Sequence, residues 1–246
     1  MPIQTTPVFA VQRAADRAVF EFGWLRTYHS FSFGEYHDPN NVNWGALRVF
    51  NDDTVQPGQG FGTHTHRDIE IVTYVLRGEL EHRDSLGSHG VVASGGIQYV
   101  SAGSGVQHSE FNHSATADVH FVQMWVLPRS RGGTPGYGQR SFAEDERRNR
   151  WLIVAGGEPG SAAPVTLNAD ATLRVAKLED AALTHAFADD RYGFLFVAGG
   201  EVEAHGERLG TGDAARIHGV RELEVRGSAE ILLWDVPALT ARSAAA

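Results

Sequence analysis

The chain has 246 residues, twelve histidines and no cysteine, and its formal net charge is -9. Without cysteine it cannot form a disulfide, a thiolate nucleophile, a cysteine zinc site or an iron–sulfur cluster. The acidic balance argues against nucleic acid and anionic membranes as main partners, because like charges would have to meet.

No apolar run approaches the roughly 20 residues that span a bilayer. The first residues, MPIQTTPVFAVQRAADRA, lack the basic-then-apolar order of a signal peptide. We therefore expect a cytoplasmic protein with no membrane partner.

Short runs rich in β-branched and aromatic residues predict strands along the whole chain, because glycine, aspartate, asparagine or serine separates them. Helical periodicity is weak. Many short strands with glycine turns are typical of a barrel or sandwich, so the sequence predicts an all-β protein. The clearest strand signals are residues 46–50, 69–76, 119–127, 192–197 and 230–234.

Residues 128–150 differ in composition from the rest of the chain. They are rich in glycine, proline, arginine and serine and poor in aliphatic residues. This composition predicts a linker between two β units.

A faint internal repeat supports two related units. The segment VLRGELEHRD at 75–84 is echoed by VAGGEVEAHG at 197–206, with Gly78 opposite Gly200. We expect a first domain at 1–133, a second at 134–240 and a frayed tail at 241–246.

Candidate metal ligands are concentrated in the first unit. GQGFGTHTHRDIE occupies 58–70, and SAGSGVQHSEFN follows at 101–112. Side chains at positions i and i+2 of a strand leave on the same face, so His64 and His66 share one face, and so do His108 and Glu110.

Two such pairs on neighbouring strands could converge on one cation. A lone pair of histidines is more often solvated or hydrogen-bonded, but two pairs after glycine-rich turns favour a metal site. Three imidazoles and one carboxylate suit a divalent first-row metal with open positions for a substrate or dioxygen. Glu70 is a second candidate carboxylate, although a turn at 67–69 separates it from the histidines.

The two segments fit the paired motifs of the cupin superfamily, and the chain more narrowly resembles the pirin family. Strong resemblance covers about residues 20–140, and a weaker one continues to the end. The features that carry it are GWLRTYHSFSFGEYHDP (23–39), NWGALRVFNDD (43–53), GQGFGTHTHRDIEIVTYVLRG (58–78), EHRDSLG (81–87), SAGSGVQHSEFN (101–112) and HFVQMWVLP (120–128).

The resemblance implies a bicupin, with two stacked β-barrel domains of jelly-roll type and the metal in the first. It also implies that Glu110 is the carboxylate ligand, which leaves Glu70 as a group that orients one of the imidazoles. The second unit is expected to be degenerate. The segments that align with the two motifs, HAF at 185–187 and IHGVREL at 217–223, contain no His-x-Glu.

The activity that the resemblance implies is that of a quercetin 2,3-dioxygenase, in which dioxygen cleaves the heterocyclic ring of a flavonol and carbon monoxide is released. His64, His66, His108 and Glu110 would hold the metal, and Glu110 would also take the substrate proton if it loosens from the metal. Fe(II) is the first expectation for the metal, while Ni, Mn, Co, Cu and Zn remain open.

Two other functions remain open at this point. Family members also act as metal-dependent regulatory proteins, so the site could be a redox sensor that docks a protein partner. A metal-dependent enzyme acting on another small molecule is a third hypothesis, because cupin barrels host unrelated reactions. An open cavity above the metal would favour an enzyme, while a sensor can have its metal sealed.

Four other histidines of the first half, His82, His89, His113 and His120, are expected to have surface or hydrogen-bonding roles. Several aromatic residues are expected to be core packing more often than a ligand-stacking surface. They are Phe31, Phe33, Trp44, Tyr99, Phe111 and Trp125.

Overall fold

The structure is a computed structural model, and it describes residues 7–157 and 162–239. The expected tail at 241–246 lies outside these residues. Within them the chain is almost entirely antiparallel strands, with one short helix, α1 (Glu144–Arg147), and one 3-10 turn (Ala14–Asp16), so the predicted all-β class is confirmed. The strands are β1 (Val8–Gln12), β2 (Ala18–Glu21), β3 (Leu25–His29), β4 (Leu47–Val55), β5 (Gly60–His66), β6 (Glu70–Arg77), β7 (Glu79–Asp84), β8 (His89–Ala93), β9 (Ile97–Ser101), β10 (Val106–Asn112), β11 (Val119–Val126), β12 (Gly136–Arg140), β13 (Leu152–Gly156), β14 (Thr172–Ala186), β15 (Arg191–Ala204), β16 (Glu207–Gly210), β17 (Ala214–His218) and β18 (Glu222–Pro237).

The first unit consists of two sheets. One has four strands in the order β5-β10-β7-β8, and the other has seven in the order β12-β9-β6-β11-β4-β3-β2. Strand β6 is buried over its first six residues because both of its faces are covered. Strand β10 instead alternates buried and more exposed residues, because only one of its faces meets the interior.

The space between these two sheets holds an apolar cluster that includes Val75, Leu80 and Phe121. Trp24 and Phe61, which are partly buried, pack against it. The cluster fills one part of the interior, and the candidate ligands lie in the part that remains.

The second unit is one seven-stranded sheet in the order β1-β17-β15-β18-β14-β13, with β16 paired to β15. The largest buried cluster lies between this sheet and the seven-stranded sheet of the first unit, and it includes Phe50, Met124, Phe194 and Trp234. The indole Nε1 of Trp234 donates to Met124 Sδ at 3.0 Å. Burying each of these large side chains stabilises the assembly by roughly 2 kcal/mol, so the two units form a common core.

Two strands cross between the units. Strand β1 pairs with β17 of the second unit, and β12, from within the predicted linker, pairs with β9 of the first. The linker prediction was therefore incomplete, because the glycines of β12 made a strand look like a loop in the sequence. The strand needs a small residue at Gly138, since a Cβ there would lie 3.1 Å from the ring of Tyr99. The division at 133/134 remains a prediction.

The internal repeat has a structural basis at its glycines. Gly78 and Gly200 have φ of +80° and +89°, in the region that favours glycine. A Cβ would lie 2.9 Å from Asp118 O at Gly78 and 2.2 Å from Ser228 O at Gly200. Both positions therefore require glycine for the same two reasons. Among the described residues, no helix is long and apolar enough to cross a membrane.

Candidate metal centre

The predicted ligands lie on two neighbouring strands. His64 and His66 are on β5, and His108 and Glu110 are on β10. The strands pair antiparallel with His108 opposite His64. His108 and Glu110 are both buried while Ser109 between them is less so, which places both side chains on the inner face of β10.

Three of the four predicted donors come together. One ring nitrogen from each of His64, His66 and His108 lies within 4.8 Å of the others. The ring centroids are 4.5 Å apart for His64 and His108, 4.7 Å for His64 and His66, and 4.9 Å for His66 and His108. Imidazole nitrogens at this spacing can share one divalent ion.

The hydrogen bonds of these rings leave lone pairs free for a metal. His64 Nδ1 lies 2.8 Å from Gly62 O, and because a carbonyl oxygen only accepts, Nδ1 carries the hydrogen and Nε2 keeps its lone pair. His108 Nε2 is buried and has no hydrogen-bond partner in the described part of the chain. Such a buried nitrogen is unfavourable unless something binds it, so the donor set fits a metal ion.

The protonation of the rings is also suited to binding a metal. Burial lowers the pKa of His66 to about 3, and the neighbouring imidazoles of His108 and His64 contribute. Burial likewise lowers the pKa of His108 to about 3, with His64 and His82 contributing. Both rings are therefore neutral at pH 7, which is the form that binds a metal.

Glu110 is 1% exposed and its two carboxylate oxygens are held by two amides. Gln98 Nε2 donates to Oε1, and Gln123 Nε2 donates to Oε2 at 2.8 Å. Burial raises the pKa of Glu110, and these hydrogen bonds oppose that shift. Glu110 is not part of the tight group formed by the three imidazoles. Its role as the fourth ligand remains a prediction.

Glu70 is buried at the start of β6 and its hydrogen bonds lead away from the imidazoles. The hydroxyl of Ser101 donates to Oε1 at 2.6 Å, and the backbone N–H of Asn168 donates to Oε2 at 3.0 Å. The expected role in orienting an imidazole remains a prediction. The contacts indicate a tie between the two units instead.

A cavity of about 550 Å³ lies beside the three histidines, and His64, His66 and Glu110 are part of its wall. The lining extends from the buried Glu110 to Phe22, which is 51% exposed, so the cavity reaches the surface. Sequence reasoning assigned Phe33 and Trp125 to core packing, but both line this cavity. The aromatic residues of the lining are Phe20, Phe22, Trp24, Phe33, Phe61 and Trp125.

The cavity also has a polar wall that sequence reasoning missed. Asn51 and Asp53 are buried and line it. Burial raises the pKa of Asp53 to about 7, and the nearby Asp52 and Glu110 carboxylates contribute. Asn51 Oδ1 has no hydrogen-bond partner among the described residues. The available signal was the polar run Asn51–Asp53 inside the otherwise mostly apolar β4.

The four histidines expected to have surface or hydrogen-bonding roles do form hydrogen bonds, but one of them is not at the surface. His89 and His113 are exposed and contact Glu81. His120 Nε2 lies 2.6 Å from Asp52 Oδ1. His82 is 0% exposed and lies beside His108, so it belongs to the surroundings of the candidate metal centre.

Comparison with known proteins finds a family match in each unit of the chain. A family model described as Pirin matches residues 10–126, and one described as Quercetinase C-terminal cupin domain matches residues 152–236. A relative from Mycobacterium tuberculosis is 44% identical over 97% of this chain and 99% of its own length. The chain belongs to the pirin family.

Pirin-family relatives from Escherichia coli extend the comparison. A protein named quercetin 2,3-dioxygenase is 39% identical, over 92% of this chain and 98% of its own length. The crystal structure of the bacterial pirin YhhW in complex with nickel(II) superposes with a TM-score of 0.88 at 36% identity, covering 94% of this chain and 100% of that one. The predicted two-domain bicupin is thereby confirmed.

The second cupin unit of this pirin-family chain differs from the first. His185, which aligns with the first histidine motif, is buried, and its Nε2 lies 2.9 Å from Asp235 Oδ2. Residues 7–157 and 162–239 contain one group of His, Asp or Glu side chains close enough to share a metal, and it is the trio in the first unit.

Proposed function

We propose that this protein is a metal-dependent dioxygenase that cleaves the heterocyclic ring of a flavonol such as quercetin with release of carbon monoxide. The observation that carries the proposal is the convergence of His64, His66 and His108 beside an aromatic-lined cavity, with His64 and His66 in its wall. The names of the relatives support the same reaction.

In the proposed site, His64, His66 and His108 bind the metal through ring nitrogens, and Glu110 is the fourth ligand. The bound metal would supply Lewis-acid activation of the substrate hydroxyl and redox chemistry with dioxygen at its open positions. Fe(II) is our first assignment because it binds nitrogen and oxygen ligands and is redox-active, whereas zinc is not redox-active.

The chain itself would position the substrate and accept its proton. The aromatic walls at Phe33, Phe61 and Trp125 suit a planar ring system and exclude water from it. Glu110 would accept the proton of the flavonol 3-hydroxyl at a carboxylate oxygen. The amides of Gln98 and Gln123 hold that carboxylate in place for the transfer.

The test is aerobic incubation of the metal-loaded protein with quercetin. Loss of flavonol absorbance together with release of carbon monoxide is expected, and an anaerobic sample and His108→Ala serve as controls that should show neither. Absence of turnover with Fe, Ni, Mn, Co, Cu and Zn alike would contradict the proposal.

The open cavity favours an enzyme over the sealed metal of a redox sensor. A sensor would instead show partner binding that changes reversibly with the oxidation state of the metal, without any product. Turnover of a different small molecule, but not of flavonols, would retain the enzyme and change its substrate.

A further inference from the structure

Behind the metal-facing ring of His108 lie two side chains that the proposed reaction does not use, His82 and Asp84. His82 Nε2 lies 3.1 Å from Asp84 Oδ2, and His82 Nδ1 lies 3.4 Å from His108 Nδ1. His82 and His108 are 0% and 1% exposed, so water does not compete for these contacts.

The positions of the hydrogens in these contacts follow from the carboxylate end. Oδ1 of Asp84 accepts the backbone N–H groups of Leu86 and Ser88, each at 2.9 Å, which hold the carboxylate as an acceptor. His82 must then donate from Nε2 to Oδ2, and a neutral His82 has only a lone pair at Nδ1. His108 therefore donates from its own Nδ1 to His82, and its Nε2 keeps the lone pair.

This direction matches what the metal centre requires. His108 Nε2 is the buried nitrogen without a hydrogen-bond partner in the described chain, and it is the atom left free to bind an ion. Metal-binding histidines commonly donate their other ring hydrogen to a partner that fixes the tautomer and the ring orientation. Here that partner is a second histidine, and the carboxylate lies one step further away.

The plane of the His82 ring is set by Tyr137. The two rings stack with centroids 4.0 Å apart and an angle of 9°. Tyr137 lies on β12, and its hydroxyl donates to Gln139 Oε1 at 2.8 Å. Strand β12, which lies within the predicted linker, thus packs against His82 through Tyr137.

We infer that Asp84 and His82 are positioning residues that fix His108 as the tautomer with hydrogen on Nδ1 and thereby preorganise it for the metal. The inference rests on the proposed ligand role of His108 and not on the flavonol reaction. It concerns which nitrogen carries a hydrogen before the ion arrives.

The first experiment needs no variant. Nitrogen-15 NMR of histidine-labelled, metal-free protein at pH 8, above the ordinary pKa of histidine, reports which nitrogen of His108 is protonated. Hydrogen on Nδ1 is expected. Hydrogen on Nε2 would overturn the inference whatever the activity of the protein.

The second experiment uses Asp84→Asn to reverse the direction of the hydrogen bonds from Asp84 through His82 to His108. The amide keeps an oxygen for Leu86 and Ser88 but presents N–H to His82, which must then accept at Nε2 and donate at Nδ1. The His108 tautomer should shift, and affinity for Ni(II) or Fe(II), measured by chelator competition, should fall about 10-fold to 100-fold. Unchanged affinity in the folded variant would contradict the inference.

Two further variants separate positioning from folding. His82→Phe keeps the stack on Tyr137 but removes the acceptor, and a similar loss of affinity is expected. Asp235→Asn changes the buried Asp235–His185 pair of the second unit, at 2.9 Å, and should leave metal affinity within twofold. An equal loss in Asp235→Asn would show that the effect is general destabilisation and would overturn the assignment.

Discussion

The backbone N–H of Asn168 donates to Glu70 Oε2 at 3.0 Å, so a loop of the second unit is tied to the first residue of β6 in the first unit. The hydroxyl of Ser101 occupies the other oxygen at 2.6 Å. Both donors depend on a carboxylate that is almost fully buried.

Removing this carboxylate should destabilise the protein more than it weakens metal binding. Glu70→Ala leaves the Asn168 N–H and the Ser101 hydroxyl without their acceptor and is expected to lower the free energy of unfolding by about 2 to 4 kcal/mol in urea titrations. Glu70→Gln keeps one acceptor oxygen and should lose less. A tenfold loss of metal affinity in folded Glu70→Gln would instead support a role in orienting an imidazole.

Single alanine substitutions at His64 or His108 should remove the metal while the protein stays folded. The fold rests on sheet packing and on the core around Phe50 and Trp234, which these side chains do not join. Metal content by mass spectrometry should fall at least tenfold, with an unchanged circular dichroism spectrum. His89→Ala, at an exposed histidine, is the matched control, and full occupancy in His108→Ala would refute the ligand assignment.

The rim of the cavity should affect substrate binding without affecting the metal. Phe22 is half exposed at the cavity mouth, so Phe22→Ala should raise KM for quercetin a few-fold, with kcat and metal content nearly unchanged. Leu86→Ala is the control, because Leu86 is equally exposed and does not line the cavity. Equal kinetics for Phe22→Ala and the unaltered protein would place the substrate elsewhere.

Acidification should remove the contribution that the ionised Asp52 carboxylate makes to the stability of the fold. Burial alone would raise the pKa of Asp52, but the hydrogen bond from His120 and the Arg17 guanidinium outweigh it and hold the pKa below its ordinary value. Arg17 Nη2 donates to Oδ2 at 2.8 Å. A lowered pKa means that the contribution is complete above the ordinary aspartate pKa, about 4, and is lost as the pH falls through the folded value.

Comparing the stability of Asp52→Asn with that of the unaltered protein tests the direction of this pH dependence. At pH 7 the variant should be less stable by about 3 kcal/mol in urea, because a buried Arg17 loses its counterion, and the difference should shrink below about pH 4. Glu224→Gln, in an exposed pair with Arg226, should have little effect at either pH. A stability difference between the two proteins that grows on acidification would contradict the predicted direction.

The sequence by itself determined the all-β class, the pirin family and the pairing of His64 with His66 and of His108 with Glu110. The class and the two pairs follow from strand patterns, which are a local property of the backbone and are visible in consecutive residues. The family follows from the resemblance of longer motifs, such as those at 58–78 and 101–112. The repeat at Gly78 and Gly200 was visible for the same reason, since a left-handed glycine is required within a short segment.

Only the tertiary structure decided which side chains surround those ligands. His82 contacts His108, 26 residues away in the sequence, because β10 pairs with β7. Gln98 and Gln123 reach Glu110 from two strands of the facing sheet. Strand order and burial are set by long-range packing of the whole chain. That is why the sequence predicted a surface or hydrogen-bonding role for His82 without showing that it lies buried beside the candidate metal centre.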